Sequence, residues 1–252
     1  MTKRIAFITG ATSGIGEATA RLLAENNFKL ILCGRRKDRL AKLQNELIGK
    51  TVVTTLSFDV RDLQQVKAAV LSLSPEWSKI DVLINNAGNA HGLDPIQTGN
   101  VDDWDAMMDI NVKGLLYVSR EIIPGMVERK SGHIINIGSI AGKEVYANGN
   151  VYCASKFAVD ALTRGIRIDL NPFGIKVTAI HPGMVETEFS LVRFKGDSGR
   201  AEKVYEGLEP LVGADIADLI LFAVTRPAHV VVADMVVFPT AQASATVLKR
   251  NS

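Results

Sequence analysis

The sequence has only two cysteines, Cys33 and Cys153, in 252 residues. Two thiols make neither a disulfide framework nor a four-thiolate zinc site. His91, His133, His181 and His229 are scattered without metal-ligand spacing, so no metal site is expected. No apolar run reaches the roughly 18 residues of a membrane span. The stretch Ile5-Ala6-Phe7-Ile8 is too short for the core of a signal peptide. An excess of one charge is also missing: 29 Lys and Arg against 27 Asp and Glu leave +2, which gives no electrostatic footprint for nucleic acid. No repeat, low-complexity tract or Pro/Gly/Ser-rich linker divides the chain. The 47% hydrophobic and 22% charged content excludes disorder. The expectation is a soluble, cytoplasmic, single-domain protein spanning residues 1–252, with a large core.

What is present is an alternation. Apolar runs at Ile5–Thr9, Leu30–Cys33, Val52–Phe58, Val82–Asn85, Ile134–Ile137, Val177–Ile180 and Met235–Phe238 read as strands. They are continuous rather than alternating, as in strands buried on both faces of a parallel sheet. Amphipathic stretches separate them: Gly16–Glu25, Lys37–Leu47, Leu63–Leu73, Trp104–Arg129, Tyr152–Leu170 and Ala214–Ala223. This order predicts an open α/β sheet with helices on both faces. The longest irregular segment, about 186–211, carries Arg193, Lys195, Asp197 and Arg200. Such a long excursion from a compact domain is commonly functional.

The first strand runs into Thr9-Gly10-Ala11-Thr12-Ser13-Gly14-Ile15-Gly16, and a helix follows. Three glycines have three jobs, a tight turn, the approach of backbone to a pyrophosphate and close helix–strand packing, and Gly10, Gly14 and Gly16 are all expected to bind cofactor. An anion would sit where the free N–H groups of the helix N-terminus point. The second strand ends in Gly34-Arg35-Arg36 and meets no acidic residue until Asp38. An acidic residue there would take a ribose 2′-hydroxyl, whereas a guanidinium suits a 2′-phosphate. NADP is therefore favoured over NAD, with Arg35 as the main contact and Ser13 and Arg36 assisting.

Tyr152 and Lys156 lie four apart on one helix face. Ser139 stands just past the strand Ile134–Ile137, at the sheet edge that lines the ligand crevice. These types suit hydride chemistry at a carbonyl. Negative charge develops on oxygen, an acid must protonate it, and a donor must hold it. Bringing a phenol from about 10 to about 7.5 requires roughly 3.4 kcal/mol. An ammonium about 4 Å away supplies roughly 4 kcal/mol at an effective dielectric of 20. The expectation is that Lys156 lowers the Tyr152 phenol while Ser139 orients the substrate oxygen.

Together these residues resemble the short-chain dehydrogenase/reductase family over nearly the whole chain. The resemblance extends to Asp59-Val60, Asn85-Asn86-Ala87-Gly88, Asn111, and Pro182-Gly183-Met184-Val185-Glu186-Thr187. It implies a doubly wound, Rossmann-like parallel sheet of about seven strands. It implies that Thr12 and Ile15 in the glycine turn, Asp59 and Val60, and Asn86, Ala87 and Gly88 bind cofactor. Asn111 would hold a water in a proton relay to Lys156, which also binds the nicotinamide ribose. Pro182, Gly183, Val185 and Thr187 would hold the nicotinamide end. Family members commonly form tetramers through the two long helices.

A narrower resemblance lies in Glu188-Phe189-Ser190-Leu191-Val192-Arg193-Phe194-Lys195-Gly196-Asp197 and the tail Phe238-Pro239-Thr240-Ala241-Gln242. These look like the NADP-dependent 3-hydroxy acid dehydrogenases, which act on serine, 3-hydroxypropionate and related compounds. A carboxylate substrate calls for a cation, and Arg193 is the candidate. Ser139, Tyr152 and Gly183 would complete the substrate contacts. A broad carbonyl reductase is one competing enzyme reading, and a 3-oxoacyl-carrier-protein reductase is the other. It is disfavoured by Asp234-Met235-Val236-Val237-Phe238-Pro239-Thr240, where a Val-Asp-Gly-Gly type segment is usual. A non-catalytic NADP sensor is disfavoured by the intact Ser139, Asn111, Tyr152 and Lys156. Glu186 and Glu188 read as solvated or lid residues, and Cys153 as an inert buried thiol.

Overall fold

A computed structural model describes residues 3–250. The first half alternates β1 (Arg4–Thr9), α1 (Gly14–Glu25), β2 (Phe28–Gly34), α2 (Lys37–Leu47), β3 (Val53–Ser57), α3 (Leu63–Leu71) and β4 (Val82–Asn85). Next come α4 (Val101–Met108), α5 (Gly114–Arg129), β5 (His133–Ile137), α6 (Asn150–Leu170) and β6 (Lys176–Pro182). The last part holds β7 (Val185–Glu186), α7 (Phe189–Arg193), α8 (Ser198–Lys203), β8 (Leu211–Val212), α9 (Gly213–Val224) and β9 (Asp234–Val237).

Seven strands form one sheet in the order β3-β2-β1-β4-β5-β6-β9, every pairing parallel. The reason that the strands read as continuous apolar runs is visible in β1. Ala6 and Ile8 enter the core on one face, with Leu23 of α1 and Ile220 of α9. Ile5 and Phe7 enter the core on the other, with Val118 and Ile122 of α5. Successive strand residues point to opposite faces, and here both faces are covered. Burying each such side chain contributes about 1.5–3 kcal/mol.

Two features depart from the sequence reading. The stretch expected as one helix over Trp104–Arg129 is interrupted by a π-helical turn, Asp109–Lys113, which carries Asn111. Such turns insert a residue into the helical repeat and re-aim side chains. The segment 186–211, read as irregular, contains α7 and α8. Its two ends are pinned by parallel pairing of Val185 with Leu211 and Glu186 with Val212.

Chain order reverses between β1 and β4, and a crevice opens beyond the carboxyl ends of the strands at such a point. Among the described residues no helix is long and apolar enough to cross a membrane.

Candidate active site

A cleft of about 510 Å3 lies at that reversal, well within the range of small-molecule sites. Its floor is built from strand ends. Gly10 and Thr12 follow β1, Gly34 to Arg36 end β2, Asp59 and Val60 follow β3, and Asn86 to Gly88 follow β4. Ser139 follows β5, and Pro182, Gly183, Val185 and Thr187 follow from β6.

The glycine turn is shaped for an extended anionic ligand. Gly10 and Gly14 have φ of 65° and 54°, the left-handed region that glycine enters without strain. A Cβ on Gly16 would lie 2.4 Å from the Gly10 carbonyl oxygen, so Gly16 serves packing and does not line the cleft. Ser13 at the N-cap of α1 makes no side-chain cap. Its hydroxyl instead accepts from Arg36 at 2.8 Å. The first-turn N–H groups of α1 thus have no capping side chain, the arrangement that suits an anion. A dinucleotide fits the cradle, the cleft volume and this uncapped terminus.

The two arginines are held differently. Arg36 donates to Thr12 Oγ1 and Ser13 Oγ and pairs with Glu188 at 2.8 Å. Arg35 is 57% exposed and, among the described residues, pairs with Asp59 at 3.6 Å. Glu188 also pairs with Arg39 at 2.6 Å. Burial pushes the Glu188 carboxyl up, but the bonds from Arg36 and Arg39 outweigh this and leave it below its ordinary value.

Ser139, Tyr152 and Lys156 all face the cleft. The Ser139 oxygen accepts from the Ala141 N–H at 3.1 Å, and the Ser139 hydroxyl also hydrogen-bonds with Tyr152. Tyr152 and Lys156 are both buried in the protein matrix. Lys156 Nζ donates to the Ile137 carbonyl at 3.0 Å and stands 6.0 Å from the centre of the Tyr152 ring. The electrostatics differ from the sequence expectation. Burial dominates and raises the Tyr152 phenol, with the Ser139 hydrogen bond and the Arg193 guanidinium pulling the other way. Burial also lowers the Lys156 ammonium, to about 8. The physical reason is desolvation, which penalises the charged form of both groups.

Asn111 does not line the cleft. It sits behind Gly88, where a Cβ would lie 2.8 Å from Asn111 Oδ1 and 3.6 Å from Lys156 Nζ. Its amide is committed: Oδ1 accepts from Asn89 N, and Nδ2 donates to Asn89 O and Ser155 Oγ. The side chain therefore fixes the wall beside Lys156.

Arg193 lies in the cleft wall, its guanidinium 5.2 Å from the Tyr152 ring centre. It donates to Tyr146 Oη at 2.7 Å and to the Gly92 carbonyl at 3.3 Å. Lys195 pairs with Asp103 at 2.9 Å. Segment 186–211 thus reaches across the cleft mouth, fixed on one side by Glu188 and on the other by Arg193.

His181 is buried beneath Ser139, with Nδ1 3.3 Å from the Ser139 carbonyl and Nε2 3.0 Å from Asp234. Asp160 and Asp234 are bridged by Lys143 Nζ at 2.9 and 2.7 Å. That ammonium meets the charge of a triad that otherwise has metal-ligand proximity. Cys153 is buried and its thiol is raised by burial, as an inert thiol would be.

Apart from Gly16 and Asn111, every residue expected from sequence to bind cofactor, catalyse or contact substrate lines the cleft. Sequence reasoning missed Tyr146, Tyr205, Gln242, Ala245 and Leu248, which also line it. None carries a motif or period. Gln242 entered only through a resemblance of the tail.

The chain matches the short chain dehydrogenase family over residues 4–196, and it belongs to that family. It is 47% identical over 242 residues to the NADP-dependent 3-hydroxy acid dehydrogenase YdfG of Salmonella typhi, covering 96% of this chain and 97% of that one. It is 44% identical over 248 residues to the NADP-dependent 3-hydroxy acid dehydrogenase of Schizosaccharomyces pombe, covering 97% and 96%. Among solved structures, the closed form of serine dehydrogenase complexed with NADP+ superposes with a TM-score of 0.92 at 43% identity, covering 98% of this chain and all of that one.

Proposed function

We propose that this chain is an NADP-dependent oxidoreductase acting on the CH–OH group of a small 3-hydroxy acid, or on the corresponding carbonyl. The observation that carries this reading is the convergence of Ser139, Tyr152 and Lys156 in one cleft with Arg193 against the Tyr152 ring. The relatives' names supply the substrate class, 3-hydroxy acids and serine among them.

When bound, the nicotinamide supplies or accepts the hydride. The remaining work belongs to the chain. Arg35 and Arg36, with Ser13, hold the 2′-phosphate, and the N-terminus of α1 faces the pyrophosphate. Ser139 donates its hydroxyl hydrogen to the substrate oxygen. Tyr152 protonates that oxygen in reduction and takes the proton in oxidation. Lys156 binds the nicotinamide ribose and stabilises the phenolate as it forms. Asn111 keeps the wall beside Lys156 in place and so supports the proton path. Arg193 pairs with the substrate carboxylate.

We read the assembly as a homotetramer built on the long helices. Leu116 of α5 and Phe157 and Ile168 of α6 are exposed apolar residues on those helices. The unpaired, buried Cys33 and Cys153 agree with a cytoplasmic setting.

The test is a panel of 3-hydroxy acids, semialdehydes, uncharged alcohols and acyl thioesters, assayed by reduced-nicotinamide absorbance with NADP and NAD. Highest efficiency on acyl thioesters would overturn the substrate class. Tyr152→Phe should lose roughly 100- to 10,000-fold in kcat while keeping cofactor affinity. Unchanged turnover would overturn the mechanism.

A further inference from the structure

The tail beyond β9 lies outside the segment that matches the family, residues 4–196, yet it walls the cleft through Gln242, Ala245 and Leu248. Gln242 is the most enclosed of its polar side chains, at 6% exposure. Its Oε1 accepts from the Met184 N–H at 2.8 Å, and its Nε2 donates to the Ser244 carbonyl at 3.0 Å. The neighbouring Gly183 N–H donates to the Val237 carbonyl at 2.7 Å. A Cβ on Gly183 would meet Gln242 Oε1 at 2.2 Å. The Pro182-Gly183-Met184 turn is thus fitted around this one amide.

The tail is tied down on both sides of Gln242. Ala243 N donates to Val247 O, Lys249 N donates to Ala241 O, and Ala245 N donates to a Glu144 carboxylate oxygen at 2.8 Å. Arg250 donates to the Val204 and Glu206 carbonyls, just past α8. One strap therefore joins the turn after β6 to the segment that crosses the cleft mouth.

We propose that Gln242 is a positioning residue for the nicotinamide end of the cofactor, acting through the Pro182-Gly183-Met184 turn. The proposal rests on the reading that NADP lies in this cleft with its nicotinamide at that turn. An N–H left without an acceptor in this half-buried turn is costly, so the turn shifts to find one when Gln242 is removed. The adenosine end, held by Arg35, Arg36 and Ser13 across the cleft, does not feel that shift. Gln242 thereby sets affinity for one half of the cofactor only.

The experiment compares calorimetric binding of NADP+ and of 2′,5′-ADP, which lacks the nicotinamide, to the full chain. Gln242→Met keeps the volume and removes the acceptor. It should weaken NADP+ about tenfold and leave 2′,5′-ADP within about twofold. Gln242→Asn keeps the amide one methylene short of Met184 N and should show the same split, which covers the case in which Gln242→Met does not fold. Equal losses for both ligands, or no loss for NADP+, overturn the proposal. Failure of the parent protein to bind either ligand overturns the cofactor reading instead.

Discussion

Glu188, at the start of the segment that crosses the cleft mouth, holds Arg36 of the cofactor wall with a carboxylate oxygen 2.8 Å from the guanidinium. The same carboxylate takes Arg39 at 2.6 Å. Both pairs are partly solvated, so their worth lies in fixing geometry rather than in stability. Glu188→Gln should raise the KM for a 3-hydroxy acid about threefold, with the melting temperature changed little. Steady-state kinetics and thermal melts check this. An unchanged KM would mean that the Arg193 side alone holds the segment.

Arg35 is the less committed of the two cofactor-side guanidinia, since, among the described residues, it pairs with Asp59 at 3.6 Å. Arg35→Ala should lower kcat/KM for NADP about tenfold or more and leave NAD within about twofold, because charge-assisted bonds to phosphate are strong. Arg36→Ala should impair both cofactors, since it also releases Thr12 and Ser13 in the glycine turn. Equal selectivity in parent and Arg35→Ala would move the 2′-phosphate contact to Arg36.

Arg193 already bonds Tyr146 and the Gly92 carbonyl, so it serves the wall as well as any ligand. Arg193→Ala should cost about tenfold more efficiency on a hydroxy acid than on an uncharged alcohol, the difference being a lost charge-assisted bond. Parallel assays on the two substrates decide it. Equal losses would assign Arg193 to the wall alone.

Lys156 is lowered by burial to about 8 from its ordinary 10.5. Below pH 8 the amine is protonated whether folded or unfolded, and the folded chain bears the full cost of burying it. Between pH 8 and 10.5 the unfolded chain binds more protons, so this cost fades and stability rises with pH. The change is about 3 kcal/mol at most. Urea unfolding of the parent and Lys156→Met should therefore show the variant's advantage shrinking across that window. A difference independent of pH would show that the ammonium is not desolvated.

The sheet was legible because β1, β4, β5 and β6 carry apolar runs that are buried on both faces. The cofactor wall was legible for a local reason: Gly10, Gly14 and Gly16 answer to backbone geometry within one turn. The π-helical turn at Asn111 was hidden, because Trp104–Arg129 keeps apolar periodicity through the inserted residue. The net raising of the Tyr152 phenol was not legible, because burial dominates it and depth does not show in spacing. Spacing on a helix places two residues on one face but does not say where the tip of a long side chain goes, and Lys156 turns to the Ile137 carbonyl. Gln242 was out of reach because its role depends on a contact with Met184, 58 residues away in the chain.

The short ladder between Val185–Glu186 and Leu211–Val212 gives the chain between them a separate footing. Length or composition there is free to drift without straining the main sheet. Related acids of different size are thus within range of one unchanged scaffold, whether by natural divergence or by grafting a foreign excursion onto those two anchor points.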